Sequence, residues 1–313
     1  MTEATPATVL LTGGTGGLGR AAARAIAAAG RGMTVVLTGR DGSAAAAAAS
    51  RLSAETGGDV RGMSLDLASL DDVRHFAKEL VAAPLPPLRA VVCNAGTQTV
   101  SGAARTADGV ELTFGVNHLA HFLLVRELLP HLATPARIVF VASGTHDPAN
   151  RTGMPAPRYT TAAQLAHPDD AEPGSPATIG RRRYTTSKLC NVLTTYELAR
   201  HLSTERPGEL VTVNAFDPGL MPGTGLARDY GPVQAFAWRY LLPALTVLPG
   251  VNIHTPRQSA AALVRLVLDP ELEHTTGRYF SGRREIRSSE DSYDTAKATD
   301  LWNTSAALTR GAT

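Results

Sequence analysis

Tyr184 and Lys188 stand four residues apart in a chain with seven tyrosines and only three lysines against twenty-seven arginines. Chance placement of so few residues gives this spacing well under once. On a helix, an i, i+4 separation sets both side chains on one face, and a lysine ammonium, unlike a guanidinium, is a compact charge whose pKa moves readily. Beside such a cation, a phenol of ordinary pKa about 10 is drawn toward a value useful for proton transfer near neutrality.

A second group of residues has the chemistry of a nucleotide site. Thr12-Gly13-Gly14-Thr15-Gly16-Gly17-Leu18-Gly19 follows an apolar β-rich run and opens a helical pattern. There, glycines let the backbone approach a pyrophosphate held at the helix N-terminus. At the end of the next strand, where an acid would bind the ribose hydroxyls of NAD, stands Thr38-Gly39-Arg40. An arginine at that point suits a 2′-phosphate, so NADP(H) is the expected cofactor. Asp41 offers a displaced ribose ligand, yet it occupies the position of an N-cap before Ser43. Asp66-Leu67, ending the third strand, is placed to meet the adenine.

The elements that must position these groups alternate along the whole chain. Apolar runs at Thr8 to Leu11, Thr34 to Thr38, Val60 to Leu65, Arg89 to Cys93, Arg137 to Val141, Leu210 to Phe216 and Arg278 to Phe280 read as strands. Helical patterns at Leu18 to Ala29, Ser43 to Thr56, Leu70 to Val81, Val110 to Leu132 and Tyr184 to Leu202 lie between them. The expected fold class is α/β, a Rossmann-type doubly wound parallel sheet of about seven strands with helices on both faces. The alanine run from Ala44 to Ala49 suits a surface helix. With no linker or repeat, residues 1–313 read as a single dinucleotide-binding catalytic domain. The forty residues between Ser143 and Tyr184 hold six prolines and no clear period, so they read as a long functional loop, with a proline-rich insertion at about 146–181.

Bulk properties narrow the classes. A net charge of +2 without a basic stripe gives no footprint for nucleic acid. Cys93 and Cys190 lack zinc spacing and are too few for a disulfide framework, which fits a reducing, cytoplasmic setting. No membrane span is expected, since the most apolar stretch, Tyr240 to Val251, is short and broken by Pro243 and Pro249. The N-terminus carries no basic leader or cleavage site. His118 and His121, three apart on a helix, have no third ligand nearby and read as packing or surface residues, so no metal site is expected. Arg181 to Arg183 read as a solvated helix start.

With these residues in view, the chain resembles the short-chain dehydrogenase/reductase family, in the single-domain branch that includes retinol dehydrogenases and protochlorophyllide reductases. Thr12-Gly13-x-x-x-Gly17-x-Gly19 is similar to its cofactor motif, Asn94-Ala95-Gly96 to its fourth-strand motif, and Tyr184-x-x-x-Lys188 to its catalytic pair. Asn117 matches the family's helix asparagine, Ser143 its serine, and Pro218-Gly219, with Leu220, the turn after the sixth strand. Phe114-Gly115-Val116-Asn117-His118-Leu119 and Ser187-Lys188-Leu189-Cys190-Asn191 carry the likeness to that branch. The glycine run also fits nucleotide-sugar epimerases and polyketide ketoreductase domains, but the other motifs decide against both. Two departures stand out. Thr224 lies one step later than the usual threonine of the nicotinamide loop, and Ala142-Ser143 replaces a frequent Ser-Ser pair, leaving Thr145 as a weaker candidate than Ser143.

The resemblance implies hydride transfer with NADP(H). Tyr184 is the proton donor, Ser143 a hydrogen-bond donor to the same oxygen, Lys188 the group that acidifies Tyr184 and holds the nicotinamide ribose, and Asn117 the anchor of a proton relay. Residues 220–256 cover the substrate in this family. Tyr230, Phe236, Trp238 and Tyr240 there predict a small but bulky apolar ketone or alcohol. The insertion neighbours the helix that commonly pairs subunits, so a monomer is favoured, with a dimer possible. Alternative readings are a light-dependent C=C reductase like protochlorophyllide reductase and a non-catalytic NADP-sensing regulator.

Overall fold

The computed structural model describes residues 5–30, 32–99, 104–169, 172–221 and 254–310. β1 (Ala7–Leu11), α1 (Gly17–Ala28), β2 (Met33–Gly39), α2 (Gly42–Thr56), β3 (Asp59–Ser64), α3 (Leu70–Ala82) and β4 (Leu88–Cys93) form the first half. In the second half, α4 (Leu112–Phe114) runs through a π turn (Gly115–Leu119) into α5 (Ala120–Leu128), followed by β5 (Ala136–Val141). After these come α6 (Ala162–Ala166), α7 (Pro176–Glu205), β6 (Val211–Asp217), α8 (Pro256–Leu268), β7 (Arg278–Ser281), β8 (Arg284–Ile286) and α9 (Thr295–Leu308).

The sheet order is β3-β2-β1-β4-β5-β6-β7-β8. Every neighbouring pair is parallel except β7 with β8. The chain reverses its winding between β1 and β4, and ligands of such sheets bind in the crevice beyond the strand C-termini at that point. Side chains alternate along each strand, so Leu10, Val36 and Val91 join one core layer with α3, α5, α7 and α9. Val9, Leu11, Val35 and Leu37 join the other with α1, α2 and α8. Because both faces are covered, the strands read as nearly unbroken apolar runs.

Four expectations change in detail. The sheet has an eighth strand, β8, whose three residues are all exposed and therefore carry no apolar signal. The predicted helix over 110–132 is instead a succession of segments, with the π turn placed around Asn117. The alanines of α2 are not all surface residues: Ala45, Ala48 and Ala49 are buried, and a Cβ added at Gly62 on β3 would overlap the Ala45 backbone, so small residues on both elements permit the close approach.

The described residues of the insertion are structured. α7 begins at Pro176, capped by Ser175, so its first two turns precede Tyr184. The preceding residues are pinned to the outer helices. Asp300 of α9 accepts hydrogen bonds from the Tyr159 hydroxyl and the Ala162 backbone, both at 2.8 Å. Thr186 Oγ1 accepts one from the Arg158 backbone at 2.9 Å, and the Ala166 carbonyl accepts one from the Glu111 backbone at 2.8 Å. Among the described residues no helix is long and apolar enough to cross a membrane.

Candidate active site

At the end of β1 the chain turns sharply to enter α1. Gly13 and Gly17 adopt positive φ of 70° and 52°, where an L side chain is strained. A Cβ at Gly14 would overlap Leu37, and one at Gly19 would overlap the Gly13 carbonyl. Gly16, the N-cap of α1, supplies no capping side chain, and its Cβ direction is open. Thr15, Gly16 and Gly17 are exposed at the tip while Leu18 is buried beneath it. An uncapped helix N-terminus behind an open glycine tip suits a pyrophosphate.

Thr12 and Asn94 hold this loop in place. Thr12 Oγ1 accepts from the backbone N–H of Asn94 and Ala95 at 2.9 and 3.0 Å. Asn94 Nδ2 donates to the Thr12 carbonyl at 2.8 Å. The ends of β1 and β4 are thereby tied together across the switch point.

Arg40 is exposed just beyond β2 and joins no ion pair among the described residues. Asp41 is committed to capping α2, accepting from the Ser43 and Ala44 backbone at 2.8 and 3.1 Å. Asp66 turns its Oδ1 to the Ala68 backbone at 2.9 Å, and Leu67 is buried.

Tyr184, Lys188, Asn117 and Gly96 converge at the other side of the crevice. Lys188 and Tyr184 are both buried on α7, with Nζ 5.6 Å from the phenol ring centroid. Nζ donates to the Val141 carbonyl at 2.9 Å. Burial of the ammonium pulls the Lys188 pKa down to about 8, and the nearby Asp217 carboxylate opposes that fall. Asn117 is fully buried. Its Nδ2 donates to the Thr97 carbonyl at 2.9 Å and to Ser187 Oγ at 3.0 Å, and its Oδ1 accepts from the Thr97 backbone at 2.7 Å. A Cβ at Gly96 would lie 3.3 Å from Asn117 Oδ1 and 3.6 Å from Lys188 Nζ, so only a glycine leaves clear space there.

Ser143 follows β5 and caps a short 3₁₀ turn, with Thr145 Oγ1 donating to its Oγ at 3.1 Å. The turn after β6 is built by Asp217, which accepts from the Gly219 backbone at 2.9 Å; Gly219 itself has φ of 74°. The Pro218 carbonyl accepts from Ser259 at 2.6 Å, and Leu220 is exposed. Thr224 and the aromatic stretch Leu226 to Leu248 lie outside the described residues.

Sequence reasoning took His118 and His121 only as packing or surface residues and did not single out His146, and it foresaw none of their supporting contacts. His121 is fully buried and neutral: its Nδ1–H donates to the Asn117 carbonyl at 3.2 Å, and Nε2 accepts from the Thr12 hydroxyl at 2.9 Å. It thus links the glycine loop to Asn117, and burial takes its pKa down to about 4. The i, i+4 spacing from Asn117 was the available signal. His118, with its pKa down to about 3 through burial, bonds Ser305 of α9 at 2.8 Å. Among the described residues no cluster of His, Cys, Asp or Glu could hold a metal. His146 donates from Nδ1 to the Ser143 carbonyl at 2.7 Å and accepts at Nε2 from the Ser289 backbone at 3.1 Å. The arginines before Tyr184 are not a solvated helix start: they lie inside α7, where Arg182 pairs with Glu172, and Arg183 with Glu172 and Glu111.

Residues 7–156 match the profile of the short chain dehydrogenase family. Protochlorophyllide reductase from Avena sativa is 33% identical over 96% of this chain and 98% of its own length. Polyprenol dehydrogenase from Mus musculus is 34% identical over 94% of this chain and 81% of its own. Among solved structures, an uncharacterised protein from Mycobacterium paratuberculosis is similar with a TM-score of 0.69 at 27% identity, covering 98% of this chain and 94% of its own. A short chain dehydrogenase from Burkholderia cenocepacia in complex with NADP shares the fold, with a TM-score of 0.63 at 24% identity, covering 89% and 96%.

The lowered pKa of Lys188 has a thermodynamic consequence. Between about 8 and the ordinary 10.5, the folded chain holds fewer protons at this site than the unfolded chain. Stability of the cofactor-free protein therefore gains from this lysine as pH rises through that window, by up to about 1.4 kcal/mol per pH unit. Urea unfolding across the window should show this gain in the parent and its loss in Lys188→Met; identical pH dependence in the two proteins would contradict it.

Proposed function

The chain belongs to the short-chain dehydrogenase/reductase family, and from that premise we propose that it reduces a ketone with NADPH, or oxidises the corresponding secondary alcohol, on a bulky apolar small molecule. The observation that carries this reading is the buried Lys188 ammonium 5.6 Å from the Tyr184 ring, beside Asn117 and Gly96 at the mouth of the crevice. We take residues 1–313 as one catalytic unit.

The residues fit a dinucleotide. The open tip at Thr15, Gly16 and Gly17, together with the uncapped start of α1, would take the pyrophosphate. Exposed Arg40 would take a 2′-phosphate, since Asp41 is occupied by its cap. Asp66 and Leu67 would border the adenine, while Gly96, Lys188 and the Pro218-Gly219-Leu220 turn would border the nicotinamide ribose and ring. When bound, the cofactor supplies or accepts the hydride exchanged with the substrate carbon.

Tyr184 gives its hydroxyl proton to the carbonyl oxygen in reduction and takes it back in oxidation. Ser143 donates a hydrogen bond to that oxygen as charge grows on it. The Lys188 charge favours the phenolate form of Tyr184 and so lowers the cost of its proton loss. Asn117, locked by Thr97 and Ser187, keeps the π turn in place and anchors the proton route behind Lys188. The apolar substrate rests on the aromatic stretch after β6 and on the likeness to a polyprenol dehydrogenase, whose named substrate is a long apolar alcohol.

A second reading, light-dependent C=C reduction, is favoured by the 33% identity to protochlorophyllide reductases. NADPH consumption in the dark against a panel of bulky and small ketones separates the two. Turnover of bulky ketones in the dark is expected, with Tyr184→Phe losing about 10²–10⁴-fold in kcat. Activity that needs light, or a Tyr184→Phe variant as fast as the parent, would overturn the first reading. For the cofactor, Arg40→Ala should weaken NADPH binding by about tenfold or more while leaving NADH binding little changed; an equal loss for both dinucleotides would remove the 2′-phosphate role.

A further inference from the structure

The turn that follows β5 carries one contact more than its fold requires. Ser143 Oγ accepts from the Thr145 backbone N–H at 3.3 Å, the ordinary bond by which a serine closes such a turn. It also accepts from Thr145 Oγ1 at 3.1 Å. A serine hydroxyl has two acceptor lone pairs and one proton to give. Both lone pairs are thus taken by a single residue, and what Ser143 has left to offer is its proton. The backbone of the turn needs only the first of the two bonds, so the second serves the Ser143 hydroxyl alone.

The rest of the turn keeps Thr145 in that position. The Ser143 carbonyl accepts from His146 Nδ1 at 2.7 Å and from the His146 backbone at 3.1 Å. The Gly144 carbonyl accepts from Asn150 Nδ2 at 2.9 Å and from the Asp147 backbone at 3.2 Å. A Cβ added at Gly144 would come within 3.1 Å of Asp217 Oδ2, so the turn lies tight against the end of β6. Ser143 and Thr145 are themselves only half-buried, and the pair is not sealed in the core.

We propose that Thr145 is a positioning residue: by filling the second lone pair of Ser143 it makes the serine a donor only, with its proton reserved for the substrate oxygen. The inference rests on the role proposed above for Ser143. A serine with an open lone pair can turn its hydroxyl to accept from water or from a substrate alcohol, and a serine that accepts does not stabilise charge growing on a carbonyl oxygen. Donation by Thr145 also polarises the Ser143 O–H, because a hydroxyl that accepts a hydrogen bond becomes a stronger donor. Thr145 gives up no proton in the reaction.

The test is a double-mutant cycle on NADPH oxidation in the dark, with 1-decalone, 2-adamantanone and geranylacetone as the probe ketones. Ser143→Ala should lower kcat by about a hundredfold. Thr145→Val keeps the shape and the backbone N–H but has no hydroxyl. It should lower kcat by about three- to tenfold, the worth of one hydrogen bond, with KM changed by less than about twofold. Thr145→Ser should recover most of that loss, and NADPH affinity, read by fluorescence titration, should match the parent in every variant. Placed on Ser143→Ala, Thr145→Val should cost less than about twofold, because the group through which it acts is already gone. A full second loss in the double variant would show that Thr145 merely shapes the turn and would overturn the proposal. So would a Thr145→Val as fast as the parent, a Thr145→Ser as slow as Thr145→Val, or a fall in NADPH affinity on losing the Thr145 hydroxyl. A Ser143→Ala at parental speed, or a parent that reduces none of the three ketones, would instead overturn the reading of Ser143 and take this inference with it.

Discussion

The structure turns on a lysine ammonium held out of water. Lys188 is buried where β5 and β6 end, its Nζ donating to the Val141 carbonyl and lying in the field of Asp217. A buried charge is tolerated only where partners replace its water. Here those partners come from the ends of neighbouring parallel strands. The same burial that depresses the lysine pKa makes its charge act strongly on the phenol beside it, because little solvent screens the space between them. An arginine would keep its proton throughout and could not share this balance.

Everything around that ammonium is arranged to keep it in register with the nucleotide crevice. Asn117 sits in a π turn, and such turns commonly mark functional positions in helices. Its side chain is fixed by Thr97 and Ser187, and its carbonyl is held by His121, whose other nitrogen grips Thr12 at the foot of the glycine loop. One neutral imidazole therefore links the glycine loop to the π turn that carries Asn117. On the far side, His146 plays a similar part for Ser143, joining its carbonyl to the Ser289 backbone near the chain's C-terminal helix. These contacts are made by rigid elements, which is what a reaction needing two groups placed together requires.

Much of this was legible in the residues. The seven parallel strands announced themselves as apolar runs because both sheet faces are covered, and the glycine run was interpretable because it fell between a strand and a helix. The Tyr184 and Lys188 pair followed from helical spacing. What escaped had physical causes. β8 is wholly exposed and has no hydrophobic period, and the first turns of α7 carry Pro176, Gly180 and three arginines instead of an apolar stripe. Arg182 and Arg183 belong to ion pairs with Glu172 and Glu111, and acids so distant in sequence cannot be matched to them by spacing. The two histidines drew notice as possible metal ligands, but their partners Thr12 and Ser305 come from opposite ends of the chain.

Because the chain has only three lysines, its central feature is directly observable. Titration of the cofactor-free protein labelled with ¹³C at lysine Cε, followed by NMR, resolves each amine separately. One lysine resonance, absent from Lys188→Met, should titrate near pH 8. If no resonance moves below about pH 10, the ordinary range for lysine, the ammonium is not held in the desolvated state on which this account rests.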